Sequence, residues 1–283
     1  MKTYNFKNKV VLITGGGSGV GLTMAKEFVQ AGATVVIIGR QKSKLELAKK
    51  EISKKSKCFS FAADVSKKIQ ITKVIKKIAS KFKKIDVLVN CAGIYGPIGE
   101  FHTNDLKIWQ EALTVNLLGT VFTTYAVLPL MLKQRAGKII NLSGGGAVQP
   151  FPNFSAYATS KAAIVRFTEN LAKEYEKHNI QVNAIAPGAI NTLFLDKVLK
   201  AKEKAGEDFY KKSLDQKKSG GDSPLQAAKL VLFLCSTYSN NLTGKIISAK
   251  WDPWKKDAFT KHLKRDEDFC TLRRIDEQFF FKK

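Results

Sequence analysis

Cysteine is scarce in this chain of 283 residues, and the four that occur, Cys58, Cys91, Cys235 and Cys270, stand far apart with no CxxC or Cys/His cluster. A disulfide framework and a zinc site therefore have no pattern to rest on. Histidine is scarcer still: His102, His178 and His262 fall in no catalytic or metal-ligand spacing. Also missing is an uninterrupted apolar run of about 18 residues or more, the length a membrane-crossing helix needs. The N-terminus MKTYNFKNKVVLITGGG lacks an apolar signal core with a small-residue cleavage site. The expectation is a cytoplasmic protein with reduced, mostly buried thiols, no metal and no membrane partner.

Acidic residues are few as well, 24 against 48 Lys and Arg, which leaves a formal charge of +24. Such a balance can mark a nucleic-acid binder. Between Lys42 and Lys84, however, 15 lysines alternate with Ile71, Val74, Ile75, Ile78 and Phe82 at helical spacing. They read as the wet faces of amphipathic helices, and no nucleic-acid motif or aromatic-interleaved basic stretch accompanies them. No nucleic-acid partner is expected.

What is abundant is apolar residue, 44% of the chain, arranged in runs of strand length: KVVLIT, TVVIIG, CFSFAA, DVLVN, KIINLS, QVNAIAP and GKIISA. Most are separated by segments with a helical repeat, and near-continuous apolar strands imply burial on both faces. The fold class is α/β, a doubly wound parallel sheet in a single domain over residues 1–250. Residues 191–223 are mostly polar and long for a connection, a placement typical of a substrate lid. Residues 251–283 form a mixed-charge, aromatic tail that docks either on its own domain or on a neighbouring subunit.

The first strand runs into TGGGSGVG, Thr14 to Gly21, and then into a helical pattern. Glycines at 15, 19 and 21, with Ser18 and Val20 between them, supply a tight turn, close backbone approach to a pyrophosphate and helix–sheet packing at a helix N-terminus. The spacing resembles the TGxxxGxG loop of the short-chain dehydrogenase/reductase family. NCAG at Asn90–Gly93 is similar to its NNAG, and Asp64–Val65 to its adenine-contacting pair. Asn116 falls on its catalytic asparagine, YATSK on its YxASK, and PGAINT, Pro187 to Thr192, on its PGxxxT. The resemblance covers roughly residues 6 to 249 and implies a Rossmann-type fold. It further implies a nicotinamide cofactor held by these motifs, Ala92 and Gly93 included, and a homodimer or homotetramer. NAD-using members usually end the second strand on an acidic residue; here Gly39 stands there with Arg40 next. A guanidinium suits a 2′-phosphate, so NADP(H) is expected over NAD(H); the plainer reading of Arg40 is a solvated helix residue.

Tyr157 and Lys161 lie four apart, on one face of a helix. A phenol with an ordinary pKa near 10 is a poor base, and a nearby ammonium favours its ionised form. The resemblance implies that Tyr157 exchanges a proton with the substrate oxygen, Lys161 also holds the nicotinamide ribose, and Asn116 supports a water in the relay. The serine that relatives carry 13 residues before the tyrosine is here Gly144. Ser143 stands in if the Gly144–Gly146 run bulges it inward; otherwise a backbone N–H, a water or a substrate hydroxyl does so. The expected activity is hydride transfer between nicotinamide and a small-molecule carbonyl or secondary alcohol. A basic pocket would suit a phosphorylated or nucleotide-linked sugar. The alternative, prompted by Gly144, is a cofactor-binding regulatory or structural protein without turnover.

Overall fold

A computed structural model describes residues 3–52 and 58–275; Lys54, Lys55 and Lys57 of the lysine-rich segment, and tail residues 276–283, lie outside them. Seven parallel strands form one sheet in the order β3-β2-β1-β4-β5-β6-β7. They are β1 (Val10–Thr14), β2 (Thr34–Gly39), β3 (Cys58–Ala62), β4 (Val87–Asn90), β5 (Gly137–Leu142), β6 (Ile180–Ala186) and β7 (Ile246–Ser248). Alternation along each strand divides the core between the two faces. Val11 and Ile13 of β1 pack with Met24 and Phe28 of α1 (Gly19–Gln30) and Leu230 and Leu234 of α9 (Pro224–Cys235). Val10 and Leu12 face the opposite way, toward α3 (Lys68–Phe82), α5 (Gly119–Gln134) and α6 (Ser155–Tyr175).

The lysine-rich stretch is amphipathic. In α3, Ile71, Val74, Ile75 and Ile78 are buried, one helical stripe, while Lys68, Lys73, Lys76, Lys77 and Lys81 line the outside. Next to it, α4 (Leu106–Leu113) joins α5 through a π turn at Thr114–Leu118. The run Leu106–Gln134 is long and apolar enough to cross a membrane by length and composition, but half of its most apolar window is buried. Helix α2 (Lys42–Ile52) flanks β2.

Residues 191–223 fold into two helices, α7 (Leu193–Ala201) and α8 (Glu207–Ser219). Their two legs are tied together: Asp222 N–H donates to Ala189 O (2.8 Å), and Gln216 Nε2 donates to Ala189 O (3.0 Å) and Asn191 Oδ1 (2.9 Å). The described part of the tail, residues 251–275, packs on its own chain. Trp254 is 4% exposed, packs on Phe233 and donates to Ala249 O; α10 (Asp257–Arg265) buries Leu263. Beyond α10, Lys245 Nζ donates to the carbonyls of Asp266, Glu267 and Phe269, and Ile246 N–H to Cys270 O, so the tail covers β7. Trp251, by contrast, is 78% exposed.

Candidate active site

The strand order reverses direction between β1 and β4, and the crevice beyond their C-terminal ends is where such sheets bind ligands. Two loops meet there. Thr14 Oγ1 accepts from the N–H groups of Cys91 and Ala92 (3.1 and 3.2 Å), fastening the NCAG loop to the glycine loop. Gly15 takes φ +69°, and a Cβ on it would lie 2.9 Å from Ala92 Cα, so no other residue fits without moving β4. A Cβ on Gly21 would come within 2.5 Å of Gly15 O. At the start of α1, Ser18 is exposed, its side chain makes no capping hydrogen bond, and the first turn carries no acidic residue. The leading N–H groups, those of Gly19 and Val20 included, are thus left for an anion. A dinucleotide pyrophosphate fits this cradle.

Around it, Thr192 caps α7 through Oγ1, which accepts from Phe194 N–H (3.3 Å), and its methyl lies 3.3 Å from where a Gly19 Cβ would be. Pro187 ends β6 beside it. Asp64 Oδ1 accepts from Ser66 N–H and Oγ, closing the turn into α3, while Val65 is buried against Gly119. Arg40 is exposed at the end of β2, and among the described residues no ion pair or hydrogen bond engages its guanidinium. Asn90, at the end of β4, is 3% exposed, and its side-chain Nδ2 donates to Thr124 Oγ1 and Asn141 Oδ1 inside the sheet. Asn141 in turn donates to Thr168. This buried ladder holds β4 and β5 against α5 and α6.

The candidate reaction centre draws on the π turn, the NCAG loop, the end of β5 and α6. Asn116 sits in the π turn, a distortion frequent at functional sites. Its side chain accepts from Ile94 N–H (2.8 Å) and donates to Ile94 O and Ser160 Oγ (both 2.9 Å), joining the NCAG loop to α6. A Cβ on Gly93 would be 3.2 Å from Asn116 Oδ1 and 3.8 Å from Lys161 Nζ. Lys161 is 5% exposed, donates to Leu142 O (2.6 Å) and lies 5.4 Å from the centre of the Tyr157 ring. Burial lowers its pKa to about 8, with Cys91 acting in the opposite sense. Burial likewise pushes the Cys91 thiol up to about 11.

In the chain by itself burial pushes the Tyr157 phenol up, with Tyr95 and Cys91 adding to it, so the hydroxyl is held protonated. Ser143 is not hydrogen-bonded to Tyr157. It is 2% exposed, its N–H continues the β5–β6 pairing to Ile185 O, and its hydroxyl donates at 3.5 Å to the main-chain oxygen of Lys161. Gly144 lacks a positive φ; of the run Gly144–Gly146 only Gly146 has one, +80°, where α6 passes so close that a Cβ would be 2.6 Å from that of Ala158. A Cβ at Gly144 would overlap the Tyr157 hydroxyl and lie 3.2 Å from Cζ. The phenol tip therefore occupies the space a residue-144 side chain would need.

Residues not singled out in the sequence complete the site. Tyr95 packs edge-on against Tyr157 (4.7 Å between centroids) and Phe194 (4.6 Å), and Phe151, Phe154 and Phe209 extend the cluster. The spacing of Phe151, Phe154 and Tyr157 at three-residue intervals was the available signal. The lining is aromatic where the overall charge had suggested a basic pocket.

A glycine-cradled crevice at the sheet's switch point, with a buried tyrosine and lysine on its rim, defines a dinucleotide-dependent oxidoreductase. Residues 9–203 match the family model described as short chain dehydrogenase. The chain is 36% identical over 249 residues to 3-oxoacyl-(acyl-carrier-protein) reductase FabG of Thermotoga maritima, covering 85% of this chain and 96% of that one. Among solved structures it resembles levodione reductase (TM-score 0.79, 28% identity, 86% of this chain and 96% of that chain). It also resembles an NAD+-bound xylitol dehydrogenase (TM-score 0.80, 27% identity, 86% and 98%). A third likeness is gluconate 5-dehydrogenase from Burkholderia cenocepacia in complex with NADP and tartrate (TM-score 0.77, 26% identity, 87% and 95%). The chain belongs to the short-chain dehydrogenase family and is an NAD(P)-dependent oxidoreductase.

Proposed function

We propose that the protein is an NADP(H)-dependent carbonyl reductase in which Tyr157 delivers the proton. The observation that carries this reading is the meeting, on one rim, of the glycine cradle, Gly93, Asn116 and Lys161 with a phenol held in its protonated form. Bound nicotinamide dinucleotide supplies the hydride. The chain's own residues do the rest. The glycine loop and the start of α1 bind the diphosphate, and Gly39 removes the carboxylate that would read a ribose hydroxyl and repel a phosphate. Arg40, without a protein partner among the described residues, pairs with the 2′-phosphate. Asn116 fixes the NCAG loop against α6. Lys161 holds the nicotinamide ribose and, when charged, stabilises the phenolate left after proton transfer. With residue 144 a glycine and Ser143 turned to α6, Tyr157 supplies the side-chain hydroxyl to the carbonyl at this edge.

The four thiols are unpaired, as a reducing compartment leaves them, and the cytoplasm is our placement. A homodimer or homotetramer through the faces of α5 and α6 is our reading of assembly, extended here from the family resemblance. The test is direct: titrate the protein with NADPH and with NADH, then follow 340 nm absorbance with a carbonyl panel. NADPH binding at least 10-fold tighter, with oxidation by some member of the panel, is the expected result. Tighter NADH binding would overturn the cofactor assignment, and binding without oxidation across a broad panel would overturn turnover.

A further inference from the structure

The lid closes on Tyr157 with rings. Phe194 at the start of α7 lies 6.0 Å from Tyr157 and 4.6 Å from Tyr95; Phe209 of α8 lies 5.1 Å from Phe151 and 5.3 Å from Phe154. Phe154 is fully buried and Tyr157 is 9% exposed. On this side of Tyr157 the rings pack edge to face, and a substrate that approaches between them must part them from one another. The lid's sequence is sorted accordingly. Phe194, Val198 and Ala201 share the inward face of α7, and Phe209 and Ser213 that of α8. Lys197, Lys200, Lys211, Lys212, Lys217 and Lys218 of the same two helices are exposed. Asp196, Glu207, Asp208 and Asp215 are exposed beside them, and Lys211 pairs with Glu207 (2.6 Å), so charges of both signs stay on the solvated outside of the lid. A charged group inside would lose its water and find rings instead.

Resting on the reading of Tyr157 as proton donor, we propose that this box selects a neutral, ring-bearing ketone and rejects phosphorylated and carboxylated carbonyl compounds. Aromatic or alicyclic carbon packs against the faces and edges that the parted rings expose. Phe209 sets the preference from the lid, as a specificity-determining residue that touches the substrate's far side.

The experiment uses the full-length protein loaded with NADPH, with calorimetric binding of 1-tetralone compared with dihydroxyacetone phosphate, and with 340 nm turnover as a separate readout. Binding of 1-tetralone about 100-fold tighter is expected. Phe209→Ala should shrink that ratio about 10-fold with NADPH affinity unchanged. Phe209→Leu, which keeps apolar volume and so guards against a misfolded variant, should shrink it by a smaller factor. Equal or tighter binding of the phosphate ester, binding of neither probe, or an unchanged ratio in both variants would overturn the proposal. The two readings separate cleanly. Preferential 1-tetralone binding without NADPH oxidation leaves this selectivity standing and removes the reductase mechanism. Preferred reduction of dihydroxyacetone phosphate does the reverse.

Discussion

Gly144 and Tyr157 compete for one volume. A Cβ at 144 would overlap the Tyr157 hydroxyl, whose ring is hemmed in by Tyr95 and Phe194. Gly144→Ser should therefore destabilise the protein by about 1–3 kcal/mol through overpacking, measured by urea unfolding. An unchanged midpoint would mean that the phenol yields freely. At Arg40, loss of a charge-assisted contact of roughly 1.5–3 kcal/mol predicts that Arg40→Ala weakens NADPH about 10- to 150-fold and leaves NADH nearly untouched. Equal losses would place phosphate recognition elsewhere. Lys161 gives a pH signature. Its pKa in the folded chain, about 8, lies below its ordinary 10.5, so between these values the unfolded chain binds the extra proton. Its contribution is full above pH 10.5 and is lost as pH falls through 8. Relative to Lys161→Met, the cofactor-free wild type should gain about 3 kcal/mol between pH 7 and 10.5 in urea unfolding. A difference constant with pH would contradict this burial. At this scale the sequence revealed types and spacing, Tyr157 with Lys161 above all. It did not reveal side-chain direction at the end of β5, because Ser143 follows the β-pairing to Ile185 whereas the glycines after it had left a bulge open.

Strands and helices were legible because the apolar runs of β1, β2, β4, β5 and β6 are buried on both faces, and α3 repeats its apolar stripe over 15 residues. Residues 191–223 were harder to read, since α7 and α8 present one narrow apolar face to the aromatic cluster and lysine to water. The tail was harder still: its anchor, Lys245, lies before β7, and the groups it holds are main-chain oxygens that carry no sequence signature. Arg166, Glu169 and Lys173 on α6 complete the strap, receiving or holding Leu272, Arg273 and Glu267. Lys245→Met should leave three carbonyls without this donor and cost roughly 2–4 kcal/mol, with proteolysis beginning beyond residue 265. A protease-resistant tail in that variant would show that the apolar packing of Trp254 and Leu263 suffices.

As a whole molecule, the protein carries a formal charge of +24 and packs an aromatic, largely uncharged cluster around Tyr157. The strand order and the crevice between β1 and β4 follow from the parallel βαβ series, so the sheet was legible before the aromatic surroundings of Tyr157 were. In the proposed mechanism Tyr157 donates the proton that accompanies hydride transfer to a ketone. Single-turnover oxidation of NADPH carrying deuterium at the transferred position, with the alcohol analysed by mass spectrometry, tests it in wild type and Tyr157→Phe. The account predicts one deuterium in the product and an unchanged NADPH affinity in the variant, with its rate lower by about 10²–10⁴. A Tyr157→Phe protein that transfers deuteride at near the wild-type rate would contradict it.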